Sequence, residues 1–280
     1  MIHPQKWRET CDPFQLSYQN FCPTEILGYP HARNDVFHAR GIYNGQEITA
    51  YIKAARHPDS AIGNEIAILS QLDDRIFPKV LDHAPSGEQF SVITDLPGSR
   101  LSIIVGDNHD MVSLSYMEMY GEALARLHRI KLNAPQQADR KFYHVPPREI
   151  LERLELTDLE KFFAVSPSEG KTVFCHGDFH YANVLWEEQQ LSAILDFELA
   201  GYGNRDLDIA WAIFLRPGQK FLKTEDERAR FLKGYRKFAT YDEAAVLYYT
   251  AQFYVWFLSF SGNDAEYCNY IRRWRATYCR

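Results

Sequence analysis

Cysteine is sparse and follows no paired pattern. Cys11, Cys22, Cys175, Cys268 and Cys279 are odd in number, and no two stand in C-x-x-C spacing. Neither a zinc ribbon nor a disulfide framework is indicated, and a reducing cytoplasm is the matching expectation. Long apolar runs are also missing. Val255-Trp256-Phe257-Leu258 near the end falls far short of the ~20 residues that a membrane-spanning helix needs. His3, Pro4, Gln5, Lys6, Arg8 and Glu9 interrupt the first residues, so no apolar core of signal-peptide length forms there. Positive charge is not in excess: 31 Lys and Arg face 37 Asp and Glu, a net charge of −6. That argues against a nucleic-acid surface and is compatible with a cationic small substrate. Neither a membrane nor a nucleic-acid partner is expected, and no repeat or low-complexity tract occurs. There remain 280 residues, 46% hydrophobic, enough for one large domain or two lobes.

The richest segment is His176-Gly177-Asp178-Phe179-His180-Tyr181-Ala182-Asn183, followed by Asp196-Phe197-Glu198. An Asp is followed by an Asn five residues later and by a second Asp thirteen after that. Phosphoryl transfer from a magnesium nucleotide needs a carboxylate for the attacking hydroxyl, and an amide and a second carboxylate for the metal. In H-x-D-x-x-x-x-N the Asp is the base and the Asn a metal ligand. His176, Asp178 and Asn183 fit that spacing, and Asp196 fits the metal-binding Asp that follows. A polar turn between strands would use the same residue types. What favours the catalytic reading is that further parts of the machinery appear upstream.

Asn44-Gly45 separates two strand-like runs over 36–54, the favoured type I′ hairpin pair because both positions need positive φ. Lys53 ends the second run. A helix with Ile62, Ile66, Leu69 and Leu72 on one stripe is predicted next, and it carries Glu65. A strand-borne Lys paired with a helix-borne Glu is the kinase device for holding the α- and β-phosphates. No G-x-G-x-x-G precedes the hairpin. The turn Gly28-Tyr29-Pro30-His31-Ala32-Arg33-Asn34-Asp35 stands in its place, where Arg33 and Asn34 could supply phosphate donors, or Arg33 could be a plain solvated charge.

Ser91 to Leu96 reads as a strand stopped by Pro97-Gly98, a natural seam between lobes. In a kinase-like architecture the backbone there, at Thr94 and Leu96, would hydrogen-bond adenine. Beyond it, Leu114 to Leu132 reads as a helix carrying His128, which is assigned no chemistry. Pro146-Pro147 starts another helix. Thr172 to Cys175 is a short strand entering the 176–183 loop. Val184 to Trp186 and Leu191 to Leu195 form a hairpin that delivers Asp196. Asp208 lies on a helix opening at Asp206, and either caps it or accepts backbone N–H groups of the loop. The chain beyond 220 is expected to be helical and aromatic-rich.

Together these residues resemble the aminoglycoside phosphotransferase and choline kinase superfamily, small-molecule relatives of protein kinases. The resemblance is carried by Ala50-Tyr51-Ile52-Lys53, Glu65 with Leu69 and Leu72, Ala125-Arg126-Leu127-His128, His176 through Leu185, Ile194 through Phe197, and Asp206 through Ala210. His-Gly-Asp and Asp-Phe-Glu are closer to that superfamily than the His-Arg-Asp and Asp-Phe-Gly of protein kinases. Tyr181-Ala182 and the phosphate turn depart from its pattern. The resemblance implies an α+β, bilobal protein-kinase-like fold with a small antiparallel-sheet N-lobe and a larger, mainly helical C-lobe. The expected division is a nucleotide-binding lobe over 1–96, a hinge at about 94–98, and a catalytic and acceptor-binding lobe over 99–280. It also implies ATP, or GTP, with Mg2+. Lys53 would hold phosphates and be oriented by Glu65. Asp178 would be the base or hydroxyl-orienting carboxylate, and Asn183 and Asp196 the metal ligands. His176 would brace the loop, and Asp208 would anchor it.

The implied activity is an O-phosphotransferase acting on a hydroxyl of a small molecule, aminoglycoside phosphotransferase-like. The alternatives are a choline, ethanolamine or other metabolite kinase, or a non-catalytic nucleotide-binding module. Glu225, Asp226, Glu227, Asp242, Glu243, Asp264 and Glu266 could attract a polycation. The aromatics of the last sixty residues could cage a quaternary ammonium. Equally, the acids could be solvated helix faces and the aromatics core, as the helical spacing of Tyr249, Phe253 and Trp256 favours.

Overall fold

A computed structural model of the chain describes residues 10–30, 33–85, 90–168, 170–261 and 264–279. Residues 3–9, and His31 and Ala32 of the turn before the hairpin, lie outside the described residues. The chain groups into two units. One comprises Met1–Gly98, Leu132–Ala134 and Ser192–Ala200, and the other Ser99–Lys131, Pro135–Leu191 and Gly201–Arg280.

The first unit is built on an antiparallel sheet of β1 (Phe21–Gly28), β2 (Asp35–Tyr43), β3 (Gln46–Ala54), β4 (Val80–His83) and β5 (Phe90–Thr94), in the order β1-β2-β3-β5-β4. The β2–β3 turn has Asn44 at φ 49° and Gly45 at φ 77°, the two positive values that a type I′ turn requires. Side chains alternate across the pleat. Phe37 and Ala39 of β2, Ala50, Ile52 and Ala54 of β3, and Phe90 and Val92 of β5 therefore share one face, where they form a core with Phe21 and Tyr29. Lys53, one residue out of phase with Ile52 and Ala54, is set on the opposite face. Helix α1 (Ile62–Leu69) packs against β4 and β5 through Ile62, Ile68 and Leu69, and its buried face includes Glu65. The predicted stripe is rotated slightly, since Ile68 is buried and Ile66 only half-buried.

Strand β1 is the sheet edge, the place where Pro23 can sit without removing a ladder bond. The register shifts between Pro23 and Glu25. The chain entering β1 is held by the buried Asp82, whose carboxylate accepts the N–H groups of Gln19, Asn20 and Phe21 at 2.6–2.8 Å. Strand β5 ends at Thr94 rather than Leu96, because the residue before Pro97 already leaves the ladder.

The second unit is mainly helical. It contains β6 (Ser99–Arg100), α2 (Leu101–Val105), α3 (Leu114–Leu127), α4 (Arg148–Arg153), α5 (Leu159–Phe163), β7 (Thr172–Cys175) and β8 (Val184–Glu187). Strand β9 (Gln190–Ile194) carries the chain back into the first unit. Then follow β10 (Gly201–Asn204), α6 (Arg205–Ile213), α7 (Glu225–Arg236), α8 (Glu243–Phe260) and α9 (Ala265–Tyr278). Strand β7 pairs with β10 and β6 with β8, both antiparallel. Helix α3 stops at Leu127, five residues before the predicted end.

Helices α3 and α7 approach until their backbones touch. A Cβ on Gly121 would overlap the Phe231 carbonyl, and one on Gly234 would overlap that of Glu118. Helix α8 is apolar nearly all round, as a core helix is. It buries Phe253, Tyr254, Val255 and Trp256 and packs on α6 and α9. Among the described residues no helix is long and apolar enough to cross a membrane.

Candidate active site

In the first unit, four charged side chains converge. The ammonium of Lys53 lies 2.8 Å from Glu65, 3.1 Å from Asp196 and 2.9 Å from Glu198. Glu65 is fully buried, and its other oxygen accepts the Phe197 N–H at 3.0 Å. The same carboxylate thus orients the lysine and fixes the Asp-Phe-Glu turn. Asp196 sits in the left-handed region at φ 66°, which Asp tolerates better than most residues. Glu198 accepts from Asn34 at 2.7 Å and from the Ala61 N–H at 3.3 Å, just ahead of α1. Asn64 donates to the carbonyls of Glu198 and Ala200, both at 2.9 Å, which pins the turn.

Burial works against the Lys53 charge, but Glu65, Asp196 and Glu198 outweigh it and hold the ammonium well above its ordinary pKa. Burial raises Glu65, and Asp196 and Glu198 add to that against the pull of Lys53. One ammonium faces three carboxylates here.

The other sequence-predicted residues of this unit lie as follows. Arg33 is exposed and pairs with Asp59. Asn34 is buried and spends its amide on Glu198 and the Ser60 hydroxyl, the latter at 2.6 Å. Thr94 ends β5, with its hydroxyl accepting the Lys79 N–H at 2.9 Å. Leu96 lies past the strand, and among the described residues nothing takes its backbone N–H or C=O.

In the second unit, the loop after β7 hangs from Asp208. Its carboxylate, buried on α6, accepts the N–H groups of His176 and Gly177, each at 3.0 Å. His128 completes the anchor. Its Nε2 is 3.1 Å from Asp208, and its Nδ1 is 2.7 Å from the Tyr235 hydroxyl. The carboxylate needs a donor, so Nε2 carries the proton and Nδ1 accepts from Tyr235. The buried His176 ring accepts the Asp178 N–H at 3.3 Å, which bends the loop back on itself.

Asp178 is half-buried and clamped from two sides. The Trp211 indole N–H donates to Oδ1 at 2.8 Å and the Asn183 amide to Oδ2 at 3.3 Å. His180 accepts the Ala182 N–H through Nδ1, so the protonated Nε2 faces Asp178, 3.5 Å away. Burial pushes Asp178 up, but His180, Arg216 and Arg140 overcome it and leave the carboxyl well below the usual range.

Two oxygens are open to a metal. Among the described residues nothing donates to Asn183 Oδ1 or to Asp196 Oδ2. Each oxygen, taken by itself in its own unit, is of the hard kind that a divalent cation takes. His128, Cys175 and Asp208 also lie within metal-ligand distance of one another. Their hydrogen bonds account for them structurally: both His128 nitrogens and both Asp208 oxygens are engaged, and burial keeps Cys175 a thiol, far above its ordinary pKa.

The acids once considered for a polycation are largely engaged. Asp242 and Asp264 cap α8 and α9, and Glu227 closes the capping box of α7. Glu225 pairs with Arg228, Glu243 with Arg236 and Glu266 with Lys223. Of the aromatics, Phe253 is core, while Trp256 and Tyr249 hydrogen-bond to the His144 carbonyl and to Asn204.

Sequence reasoning missed Glu198, His128, His180 and Trp211 as parts of these clusters. Three of them left a signal: His180 and Glu198 lie inside the motifs, and Trp211 is one helical turn after Asp208. His128 stood in a segment that carries the family resemblance, but nothing in its spacing tied it to Asp208.

Comparison with known proteins identifies the family. Residues 34–247 match the model of the phosphotransferase enzyme family, and the chain belongs to that family. It is a small-molecule phosphotransferase. Among curated protein sequences none matches significantly. The structure resembles that of an aminoglycoside phosphotransferase in a ternary complex with streptomycin and ATP, at TM-score 0.60 and 15% identity over 89% of this chain and 93% of that one. It also resembles an amicoumacin kinase solved with AMP-PNP, Ca2+ and Ami (0.57, 15%, 99% and 93%). A Plasmodium vivax ethanolamine kinase is similar too (0.55, 16%, 94% and 82%). At these identities the likeness establishes the fold, α+β and kinase-like.

Proposed function

We propose that the protein transfers the γ-phosphoryl group of ATP, in the presence of Mg2+, to a hydroxyl of a small molecule. The observation that carries this is Lys53, a buried ammonium bonded at once to a helix-borne Glu65 and to Asp196 of the Asp-Phe-Glu turn. Lys53 holds the α- and β-phosphates, and Glu65 keeps it pointed at them. Asn183 and Asp196 would hold the metal through their open oxygens, and it would supply charge neutralisation on the transferring group. The backbone at Thr94 and Leu96 takes the adenine edge. Arg33 remains a candidate for the phosphate turn. Asn34 acts through Glu198, because its amide is committed there.

Asp178 receives the acceptor hydroxyl. A new bond forms between the acceptor oxygen and the γ-phosphorus, and the bond from that phosphorus to the β,γ-bridging oxygen breaks. ADP leaves with the electron pair, and the hydroxyl proton passes to Asp178. Asp178 orients the hydroxyl, and the Trp211 and Asn183 bonds hold it in one rotamer for that purpose. Asp208, His128 and His176 keep the loop in place.

Calorimetry with MgATP and MgGTP on the wild type and on Lys53→Met tests the nucleotide half. Binding of MgATP that weakens strongly in the variant supports the assignment, preference for MgGTP changes the donor, and equal binding by both proteins sinks the role of Lys53. Acceptors to be compared are an aminoglycoside, choline and ethanolamine alongside neutral and acidic alcohols.

A further inference from the structure

Two arginines flank the proposed catalytic carboxylate in the second unit. The Arg140 guanidinium lies 4.9 Å from the centre of the Trp211 ring and that of Arg216 lies 5.0 Å from it. The same indole donates to Asp178. Arg140 donates to the Gly177 carbonyl at 3.1 Å, next to Asp178, and Arg216 to the Trp211 carbonyl at 2.9 Å. Both side chains are half-buried. Among the described residues no carboxylate comes within ion-pair distance of either. A cation partly removed from water needs polar partners; these two have backbone carbonyls, aromatic faces and further N–H groups. His180, 3.5 Å from Asp178, adds a further donor beside the carboxylate.

Resting on the kinase reading above, we infer that the acceptor is an alcohol that carries a negatively charged group, a carboxylate or a phosphate, bound by Arg140 and Arg216 while its hydroxyl meets Asp178. The chemistry is specific. A guanidinium's planar fork matches a carboxylate or phosphate with two parallel hydrogen bonds. Contact with the Trp211 ring and bonds to backbone carbonyls, Gly177 for Arg140, Trp211 and Phe214 for Arg216, position each guanidinium and leave it further N–H groups. A polycationic or quaternary ammonium acceptor meets the opposite field, since the cations nearest Asp178 repel it.

Arg140 and Arg216 also support backbone carbonyls, so the test separates recognition from scaffolding. Binding of glycerate, glycerol 3-phosphate, glycerol, ethanolamine and choline to the full chain with MgADP is measured by calorimetry. Phosphorylation of each from MgATP is then followed by ADP release, in wild type, Arg140→Gln, Arg216→Gln and Arg140→Lys.

The expected result is that an acidic probe binds, glycerate marking a carboxylate site and glycerol 3-phosphate a phosphate site. Its affinity should fall at least about tenfold in each Gln variant, the loss of one charge-assisted pair of hydrogen bonds. Arg140→Lys should fall between, and MgATP affinity and melting temperature should change little. A variant that lowers kcat for every acceptor alike, or weakens MgATP instead, would show scaffolding or nucleotide contact and overturn the inference. So would normal MgATP binding with neither acidic probe bound, or turnover of choline or ethanolamine untouched by the variants. Absence of MgATP binding in the wild type would instead bring down the kinase reading, and this inference with it.

Discussion

Replacing Asp208 with Asn tests how the 176–183 loop is held. The carboxylate accepts two buried backbone N–H groups at 3.0 Å and the His128 ring at 3.1 Å. The amide keeps the shape but not the chemistry. Its oxygen can satisfy one side, while its NH2 confronts a donor on the other. Hydrogen bonds to a charged group contribute about 1.5–3 kcal/mol each, and a buried donor left unmade costs about 1–3 kcal/mol. The losses overlap, so the expected destabilisation is about 3–5 kcal/mol, the range for breaking a buried charge network. At about 2–4 °C per kcal/mol for a unit of this size, the melting temperature should fall by about 10 °C. Activity should fall further than stability suggests, because a loop displaced by about 1 Å costs on the order of 100-fold in rate. Differential scanning calorimetry and steady-state kinetics below the melting point read the two effects separately. A variant that melts within about 2 °C of wild type and keeps its kcat would refute the anchoring argument.

Gly121→Ala places a methyl inside the Phe231 carbonyl and should destabilise by about 1–3 kcal/mol or more, the range for overpacking; chemical denaturation that shows no loss would mean α3 and α7 are not in backbone contact. Asn183→Ala and Asp196→Ala should each raise the Mg2+ concentration needed for half-maximal rate and lower kcat by orders of magnitude, and unchanged Mg2+ titrations would remove them as ligands. Glu65→Gln should lower kcat/KM and destabilise the first unit, since it withdraws the charge facing Lys53; a neutral effect on both would contradict the ion pair. Glu118 on α3 is held at about 2 by its bonds to Lys237 and Lys233. A carboxyl whose folded value lies below its unfolded value of 4.5 stabilises above that pH and loses the contribution as pH falls from about 4.5 toward 2. The melting difference between wild type and Glu118→Gln should therefore be present at pH 6, shrink below pH 4.5 and shrink again in high salt, and a gap that widens on acidification would reverse the sign of the argument.

Much of the local geometry could be read from the chain because it depends on spacing along the sequence. The Asn44-Gly45 turn, the placement of Lys53 at the end of β3 and the Asp-to-Asn interval of the 176–183 loop all follow from residues close in sequence. What stayed hidden depends on contacts between distant segments. His128 meets Asp208 across 80 residues and Trp211 meets Asp178 across 33, and no periodicity encodes either meeting. Glu198 was visible as part of Asp-Phe-Glu, yet its bonds to Asn34 and Lys53 come from tertiary packing. Strand β1 went unread because Pro23 and Gly28 break its pattern, which an edge strand tolerates. The acids beyond residue 220 looked free for a ligand only because caps and ion pairs cannot be assigned without the helix boundaries.

The central claim is that Asp178 receives a small-molecule hydroxyl for phosphoryl transfer from MgATP. The direct measurement is ADP release from MgATP by the full chain across an acceptor panel of aminoglycoside, choline, ethanolamine and acidic alcohols, with Asp178→Ala beside it. The account predicts acceptor-dependent turnover that the variant loses by orders of magnitude. Turnover within about threefold of wild type, a barrier change well under 1 kcal/mol, would contradict it.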